Sequence, residues 1–409
     1  MCHFHREHLH QPTHLLLNKL LSPTCQISNE TLLGIMSYQD AQITREMEAD
    51  FDVIFVGGGI AGLMGATFAI RAGMKVAILE RHSQCGLEST SKNAASFSLH
   101  FGSREVCEMA ERSAGYFLEP FWSDGGSYLD FAGKVFVARA HQENQTSELI
   151  GKLKSNGKPL ELIRAEAAAE LMSPLGLKIQ PGDRYLFDDD HAFIDVPRLV
   201  QDLQAYVQGS ESMILQNAEV VAIEKLNSNW TIFLKDGNQT ITSSAVVISA
   251  GANSDAVAKS IGVSSLGLKN WSRTAAWYCV EDAEMMGWSG LPMIHEVDNA
   301  FFARPYNGEW FVSPVDNSSL NGGPIQPDLN MMESALASMQ RWFERIPLSM
   351  HSITAGIRSF HMDGKPKIQA IQDFPGLFWF TALGGYGIKI APFSADRLTQ
   401  LLTKFQSSR

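Results

Sequence analysis

Residues 53–62 read Val53-Ile54-Phe55-Val56-Gly57-Gly58-Gly59-Ile60-Ala61-Gly62, and they are answered downstream by Lys75-Val76-Ala77-Ile78-Leu79-Glu80. An apolar run, a glycine turn, a helix and a second apolar run ending in a carboxylate form the pattern of a βαβ dinucleotide-binding unit. Gly57 permits the tight turn, Gly59 lets backbone approach a pyrophosphate, and Gly62 lets helix and strand pack closely. Ile60 and Ala61 open the helix, whose unpaired N–H groups and dipole favour an anion. Glu80 stands 23 positions after Gly57, where a carboxylate can accept hydrogen bonds from an adenosine ribose and would repel a 2′-phosphate, which disfavours NADP. A plain strand–helix junction would need the glycines but not the acid at that distance.

The chain of 409 residues has room for two or three domains, and its 45% hydrophobic content is that of a globular protein. A formal net charge of −11 argues against a nucleic-acid surface, which needs a basic patch. The five cysteines, Cys2, Cys25, Cys85, Cys107 and Cys279, are scattered and contain no CxxC pair. Neither a disulfide framework nor a metal site is expected, and a reducing cytoplasm suits the chain best. No apolar run has the roughly 18 residues needed to span a bilayer. The stretch 15–21 is short and broken by Lys19, a poor signal peptide. Residues 1–50 carry His3, His5, His8, His10 and His14 without hydrophobic periodicity. They read as a poorly ordered extension, with Met36 or Met47 as alternative starts and a histidine metal tail as the rival reading.

After the first βαβ unit a Ser/Thr-rich turn occupies 89–96, and a helical pattern runs from about 103 to 121. Lys134-Val135-Phe136-Val137-Ala138 is a strand by its β-branched and aromatic content, and Asp195 caps a helix with Pro197 in its first turn. Strands follow at 214–215, 219–224 and 230–234, then a buried run at 245–251. Aromatic-rich strands fill 271–315, and an amphipathic helix spans about 328–343. The end of the chain reads as a strand (376–382), the turn Gly384-Gly385-Tyr386-Gly387, and a helix from about Pro392 to Lys404. The expected fold class is α/β: a Rossmann-type nucleotide-binding domain (51–105, 190–260 and 350–409) interleaved with an antiparallel-sheet, α+β second domain (106–189 and 261–349).

The string Gly356-Ile357-Arg358-Ser359-Phe360-His361-Met362-Asp363-Gly364-Lys365-Pro366, followed by Gly384-Gly385-Tyr386-Gly387-Ile388-Lys389, carries a family likeness. With the N-terminal glycines, Ser89-Thr90-Ser91 and Ala250-Gly251-Ala252, it resembles the FAD-dependent oxidoreductases of the D-amino acid oxidase superfamily, nearest to the D-arginine dehydrogenase-like, or D-amino acid dehydrogenase, branch. The resemblance covers about residues 51–402. It implies FAD with its pyrophosphate on residues 57–62, its ribose on Glu80 beside Arg81, and its adenine near Val220 and Gly251. The flavin would then lie between Ser89, Thr90, Ala95 and Ser96 on one side and Gly385, Tyr386, Gly387, Ile388 and Lys389 on the other. A helix N-terminus at 385–388 would stabilise the charge of reduced flavin, and Lys389 would add a full cation unless it is an ordinary solvated lysine.

The resemblance also implies that Arg358, and less securely Arg273 with Arg304 as rival, hold a substrate carboxylate, since a planar fork matches that group. Phe101 and Phe302 stand where such members carry tyrosines, Ser96 where a histidine is common, and Lys134 where an acid would suit a cationic tail. D-Arginine is therefore disfavoured, and a neutral, apolar or acidic tail fits better. The expected activity is oxidation of an amino acid C–N bond, with hydride passing to the flavin, the imine hydrolysing, and oxygen, a quinone or another acceptor taking the electrons. Tyr386 and Ser96 are candidates for orienting the amine. A 2-hydroxy acid or N-methyl amino acid substrate, and a non-catalytic redox-sensing or subunit role, are the competing readings.

Overall fold

In the computed structural model, which describes residues 50–409 apart from 159, 236–239, 280–286, 288–289, 307, 321–324 and 347–348, the apolar runs after Asp50 become parallel strands. Phe51–Val56 lies between Val76–Leu79 and Thr240–Ile248, paired in parallel with both. Central parallel strands are covered on both faces, which is why these segments are apolar almost without interruption. Among the described residues the sheet has eight strands. Six run in the order Val220–Leu226, Asn229–Leu234, Thr240–Ile248, Phe51–Val56, Val76–Leu79, Met213–Leu215, and Leu377–Thr381 adds on beside Thr240–Ile248 with Lys367–Ala370 at its far edge. Helix Ile60–Arg71 is buried along most of its length and packs against helices Val196–Gln208 and Gly387–Gln406. The expectation for residues 1–49 lies outside the described residues.

Asp195 caps Val196–Gln208, its carboxylate accepting the Arg198 N–H at 3.2 Å, and Pro197 sits in the first turn as its fixed φ allows. Asp328 does the same for Leu329–Trp342, accepting from Met331 N–H at 3.0 Å. The last helix differs from its reading, for it begins at Gly387 rather than Pro392, directly out of the glycine turn. Pro392 therefore falls inside the helix as its sixth residue, where it has no N–H to give the Ile388 carbonyl and removes one bond from the ladder. Helix Arg104–Leu118 joins the core of the first sheet, packing against Gly387–Gln406, although its residues fall mostly after 105.

Among the described residues the second sheet has nine strands. Its order is Ser318–Ser319, Lys269–Cys279, Glu309–Ser313, Phe302–Tyr306, Met293–Glu296, Lys134–Ala138, Arg184–Asp188, Glu161–Ile163, with Ser349–Phe360 also paired along Lys269–Cys279. Ser349–Phe360 therefore belongs to this sheet, and the chain returns to the first one with Lys367–Ala370, later than residue 350. Alternation sorts the side chains into two sets. Val135, Val137, Ala276, Ile294, Ala303, Trp310 and Val312 pack on Met332, Ala335, Met339 and Trp342 of helix Leu329–Trp342. The register places Arg358, Arg273, Phe311, Phe302, Arg304, His295, Phe136 and Lys134 together on the opposite face. A small third sheet joins Ser96–Phe97 and Leu129–Asp130 to Ala192–Ile194. Among the described residues no helix is long and apolar enough to cross a membrane.

Candidate functional site

The three fingerprint glycines divide into two kinds. Gly57 has φ +108, and a methyl there would meet Ser249 O at 2.9 Å; a methyl on Gly62 would overlap the Gly57 carbonyl oxygen outright. Both are demanded by the fold itself. Gly59 has ordinary backbone (φ −73, ψ −177), and the nearest atom to a methyl on it is Thr90 Oγ1 at 3.5 Å. Its missing side chain leaves space that the protein does not fill. Ile60 N–H donates to Thr90 Oγ1 at 3.0 Å, while among the described residues the amides of Gly59, Ala61 and Gly62 meet no acceptor. Unmatched amides around an open step at a helix N-terminus could hold a pyrophosphate.

Glu80 is buried beside this turn, its two oxygens accepting the N–H groups of Gly58 (2.8 Å) and His82 (2.9 Å). The carboxylate is thereby fixed, and each oxygen keeps a lone pair for a ribose hydroxyl. Ala218 N–H donates to Glu80 O and Asn217 N–H to His82 O, which brings the approach to Val220 alongside. Gly251, at φ +53, directly follows Ser249 and Ala250, the residues packed against Gly57. Arg81 departs from its reading: its guanidinium donates to Glu88 at 2.8 Å on the surface, not into the glycine turn.

A cavity of about 190 Å³ opens where the 89–96 turn, the 384–389 segment and strands Lys269–Cys279 and Ser349–Phe360 converge. Ile60, Ser89, Thr90, Ala95, Ser96, Arg273, Arg358, Gly385, Tyr386, Gly387, Ile388 and Lys389 all line it. Of the other expected residues, Gly57, Gly59, Ala61, Gly62 and Glu80 lie at the glycine turn; Gly251 follows the residues packed on Gly57, and Val220 opens an edge strand two residues after Ala218, whose N–H donates to Glu80 O. Ser89 Oγ donates to Ile357 O at 2.7 Å, and a methyl on Gly356 would sit 2.9 Å from Lys92 O, so the turn lies tight on the strand. Asn93, which the sequence reading passed over, holds that turn: its side chain donates to Thr90 O and accepts from Ala95 N–H at 2.6 Å. An asparagine closing its own backbone two residues on is a local turn signal, and here it sets Ala95 at φ +51.

Arg273 and Arg358 both reach the Asn317 side-chain oxygen. Arg273 also donates to Asp316 O (3.1 Å) and Val315 O (3.2 Å), and Val315 holds φ +56, a rare backbone for a β-branched residue. The Asp316 carboxylate is turned to Thr274, accepting its N–H at 2.7 Å and its hydroxyl at 3.1 Å, so neither guanidinium has a carboxylate of its own. Burial pushes Arg273 down to about 10, with the charge of Arg358 adding to it; burial likewise lowers Arg358, whose Nε has no acceptor. Both remain cations at neutral pH, which leaves a fork-shaped demand for an anion at the cavity wall. Arg304 is on the same face but does not line the cavity.

Lys389 is not a solvated lysine. It is buried, pushed down to about 8 by that burial, and its ammonium donates to Ser98 O (2.9 Å) and Phe101 O (2.6 Å). It thereby fastens residues 98–101 over the start of the last helix. Ser96 is held by a histidine supplied from elsewhere in the chain: Ser96 Oγ and His191 Nε2 are 2.8 Å apart. Burial and then the charges of Lys134 and Arg304 hold His191 well below its ordinary value, so it is a neutral imidazole. The cysteine spacing pointed to no metal site, yet adjacent strands bring ligand atoms of Cys279, Glu309 and His351 within 4.8 Å of one another.

The fold is shared with the glycine oxidase of Bacillus cereus (TM-score 0.71, 17% identity, 87% of this chain and 95% of that one). It is shared with the L-proline dehydrogenase of P. horikoshii (0.71, 17%, 88% and 94%) and with the FAD-bound L-α-glycerophosphate oxidase of Mycoplasma pneumoniae (0.74, 16%, 87% and 95%). Independently of these folds, the sequence matches the FAD dependent oxidoreductase family, DAO, over residues 52–401. A match that runs from the first strand almost to the end of the last helix makes this chain a member of the FAD-dependent oxidoreductase family, and its cofactor FAD.

Proposed function

We propose that this flavoenzyme oxidises the C–N bond of an amino acid whose carboxylate is held by Arg358 and Arg273. The supporting observation is the pair of half-buried guanidiniums at the cavity wall, sharing one carboxamide oxygen and lacking a carboxylate. An incoming carboxylate supplies two acceptors to donors already positioned, with little left to order. Bound FAD, held by residues 57–62, Glu80 and the turns at 89–96 and 384–389, supplies the two-electron acceptor.

The chain's own part is binding and orientation. The Ser96 hydroxyl, fixed by neutral His191, and the Tyr386 hydroxyl face the cavity as partners for the amine, which must react as the free base. Loss of hydride from Cα and a proton from nitrogen leaves an imino acid, and water converts it to the 2-oxo acid and ammonia. Phe302, Phe311 and Ile194 line the wall with apolar surface and exclude water. The likeness to the D-arginine dehydrogenase-like branch supports the D-enantiomer, while Lys134, Phe101 and Phe302 stand against a cationic tail. The test is anaerobic mixing of the flavin-loaded protein with D- and L-amino acids, 2-hydroxy acids and N-methyl amino acids. Bleaching by a primary amino acid is expected, and faster bleaching by either of the other classes would overturn the reading.

A further inference from the structure

Strand alternation continues the cationic face past the two arginines. Arg304 pairs with Phe311 in register and lies two residues from Phe302, both of them cavity-lining rings. His295 pairs with Phe302 on one side and Phe136 on the other, and Lys134 is two residues from Phe136. His191 approaches from the small sheet through Ser96. These four side chains are withdrawn from solvent: Arg304 is 3% exposed, Lys134 5%, His295 6% and His191 0%.

Their donors are poorly matched. Arg304 makes no hydrogen bond or ion pair among the described residues, and its buried Nε and Nη1 are without acceptors. Its guanidinium sits 4.7 Å from the Tyr306 ring centre and 4.9 Å from that of Phe193. Rings cover a guanidinium's faces and leave its in-plane N–H groups unserved. The Lys134 ammonium lies 4.4 Å from the Phe136 ring and 4.7 Å from that of Phe101. His191 Nδ1 and His295 Nδ1 are also buried without partners. The acid facing this group is Asp188, opposite Lys134 in register, yet no ion pair joins them and its Oδ1 has no partner.

Isolated buried charge costs several kcal/mol, and packing alone would be served better by leucine or methionine. Arginine and lysine offer donors only, so what completes them must be rich in acceptors. The strand of Arg304 lies two strands from that of Arg273, roughly 10 Å across the sheet, within reach of one extended small molecule between two long side chains. We propose that Arg304 and Lys134, with His191 and His295 as hydrogen-bond donors, form an anion subsite beside the ring of Phe302 that takes a second acidic group of the substrate, so that the preferred substrate is a dicarboxylic amino acid. This rests on the reading of Arg273 and Arg358 as the holder of the first carboxylate.

The flavin absorption spectrum of the loaded enzyme, titrated with glutarate and with butyrate as unreactive probes, tests it. Glutarate should bind at least about tenfold more tightly, the effect of one charge-assisted hydrogen bond. Arg304→Met and Lys134→Met, which keep the volume and remove the charge, should each reduce that ratio several-fold. Aspartate or glutamate should likewise bleach the flavin at lower concentration than asparagine or glutamine. Equal binding of the two probes, or a ratio unchanged in both variants, overturns the subsite while leaving the first clamp standing. Failure of both probes to bind, with no amino acid bleaching the flavin, overturns the clamp and the subsite with it.

Discussion

Alanine at Gly59 and alanine at Gly62 should fail in opposite ways, although the two residues are three apart in one motif. Gly62→Ala places a methyl inside the carbonyl oxygen of Gly57, and backbone on both sides must give way: the first strand's turn or the helix itself. Overpacking of a core costs about 1–3 kcal/mol even where side chains can yield, and more where only backbone is in the way. Gly59→Ala meets only the Thr90 hydroxyl at 3.5 Å and needs no unusual φ, so the folded protein without FAD should keep its stability to about 0.5 kcal/mol. The same methyl, however, fills the open step among unmatched amides where the pyrophosphate is proposed to lie. Loss of that approach should weaken FAD by about 100-fold or more, or about 2.7 kcal/mol. Thermal melts of the FAD-free variants, paired with titration of FAD followed by quenching of its fluorescence, separate the outcomes. Tight FAD binding by Gly59→Ala refutes the placement of the pyrophosphate, and parental melting of Gly62→Ala refutes the packing argument.

Arg358→Lys retains a charge at the cavity and loses the fork, so the substrate concentration for half-maximal flavin bleaching should rise about tenfold, and about 100-fold in Arg358→Ala. Lys134 is held at about 7 by burial, with Asp188 opposing that shift and Lys389 adding to it. Because the unfolded chain binds the proton up to about 10.5, this group makes stability fall as pH drops from about 10.5 to about 7, and below 7 its penalty is fully present and no longer varies with pH. Lys134→Met should accordingly raise the melting temperature most at pH 6 and least near pH 10; a gain that does not vary with pH would refute the buried lysine. Lys389→Met removes the donor to Ser98 O and Phe101 O, and limited proteolysis should then cut near residues 98–101 faster than in the parent.

What the sequence disclosed about this molecule was mostly local. The glycine spacing at 57–62, the acid at Glu80 and the cap at Asp195 each state their structure within a few residues, because a backbone angle or an orphan N–H is satisfied there. The nine-stranded sheet is different. Arg273 and Arg358 share a face only because Trp271 pairs with Arg358 and Arg273 with Gly356, registers set by contacts more than 80 positions apart. Asn317 joins the two arginines from a loop with no pattern of its own, and His191 reaches Ser96 from 95 residues away. Lys389 was ambiguous for a related reason: a lysine in a helix is solvated unless carbonyls from elsewhere, here Ser98 and Phe101, arrive to receive it.

The division of labour between the two faces of that sheet explains why so much positive charge can be kept in the interior. On the far face, Val135, Ile294, Ala303, Trp310 and Val312 are locked against helix Leu329–Trp342, and each strand is paired on both sides through the centre. Strands so fixed cannot rotate to release an uncomfortable side chain without expelling an apolar neighbour on the other face, since a shift of one residue exchanges the two. Arg273 and Arg358 are thus held near one another against their repulsion by hydrophobic burial behind the sheet, and Arg304 and Lys134 are held on the same face at the cost of their hydration. A loop bearing the same residues would turn them out to water. An anion bound between Arg273 and Arg358 would relieve that repulsion without moving the scaffold, which is the physical basis on which the proposed carboxylate clamp rests.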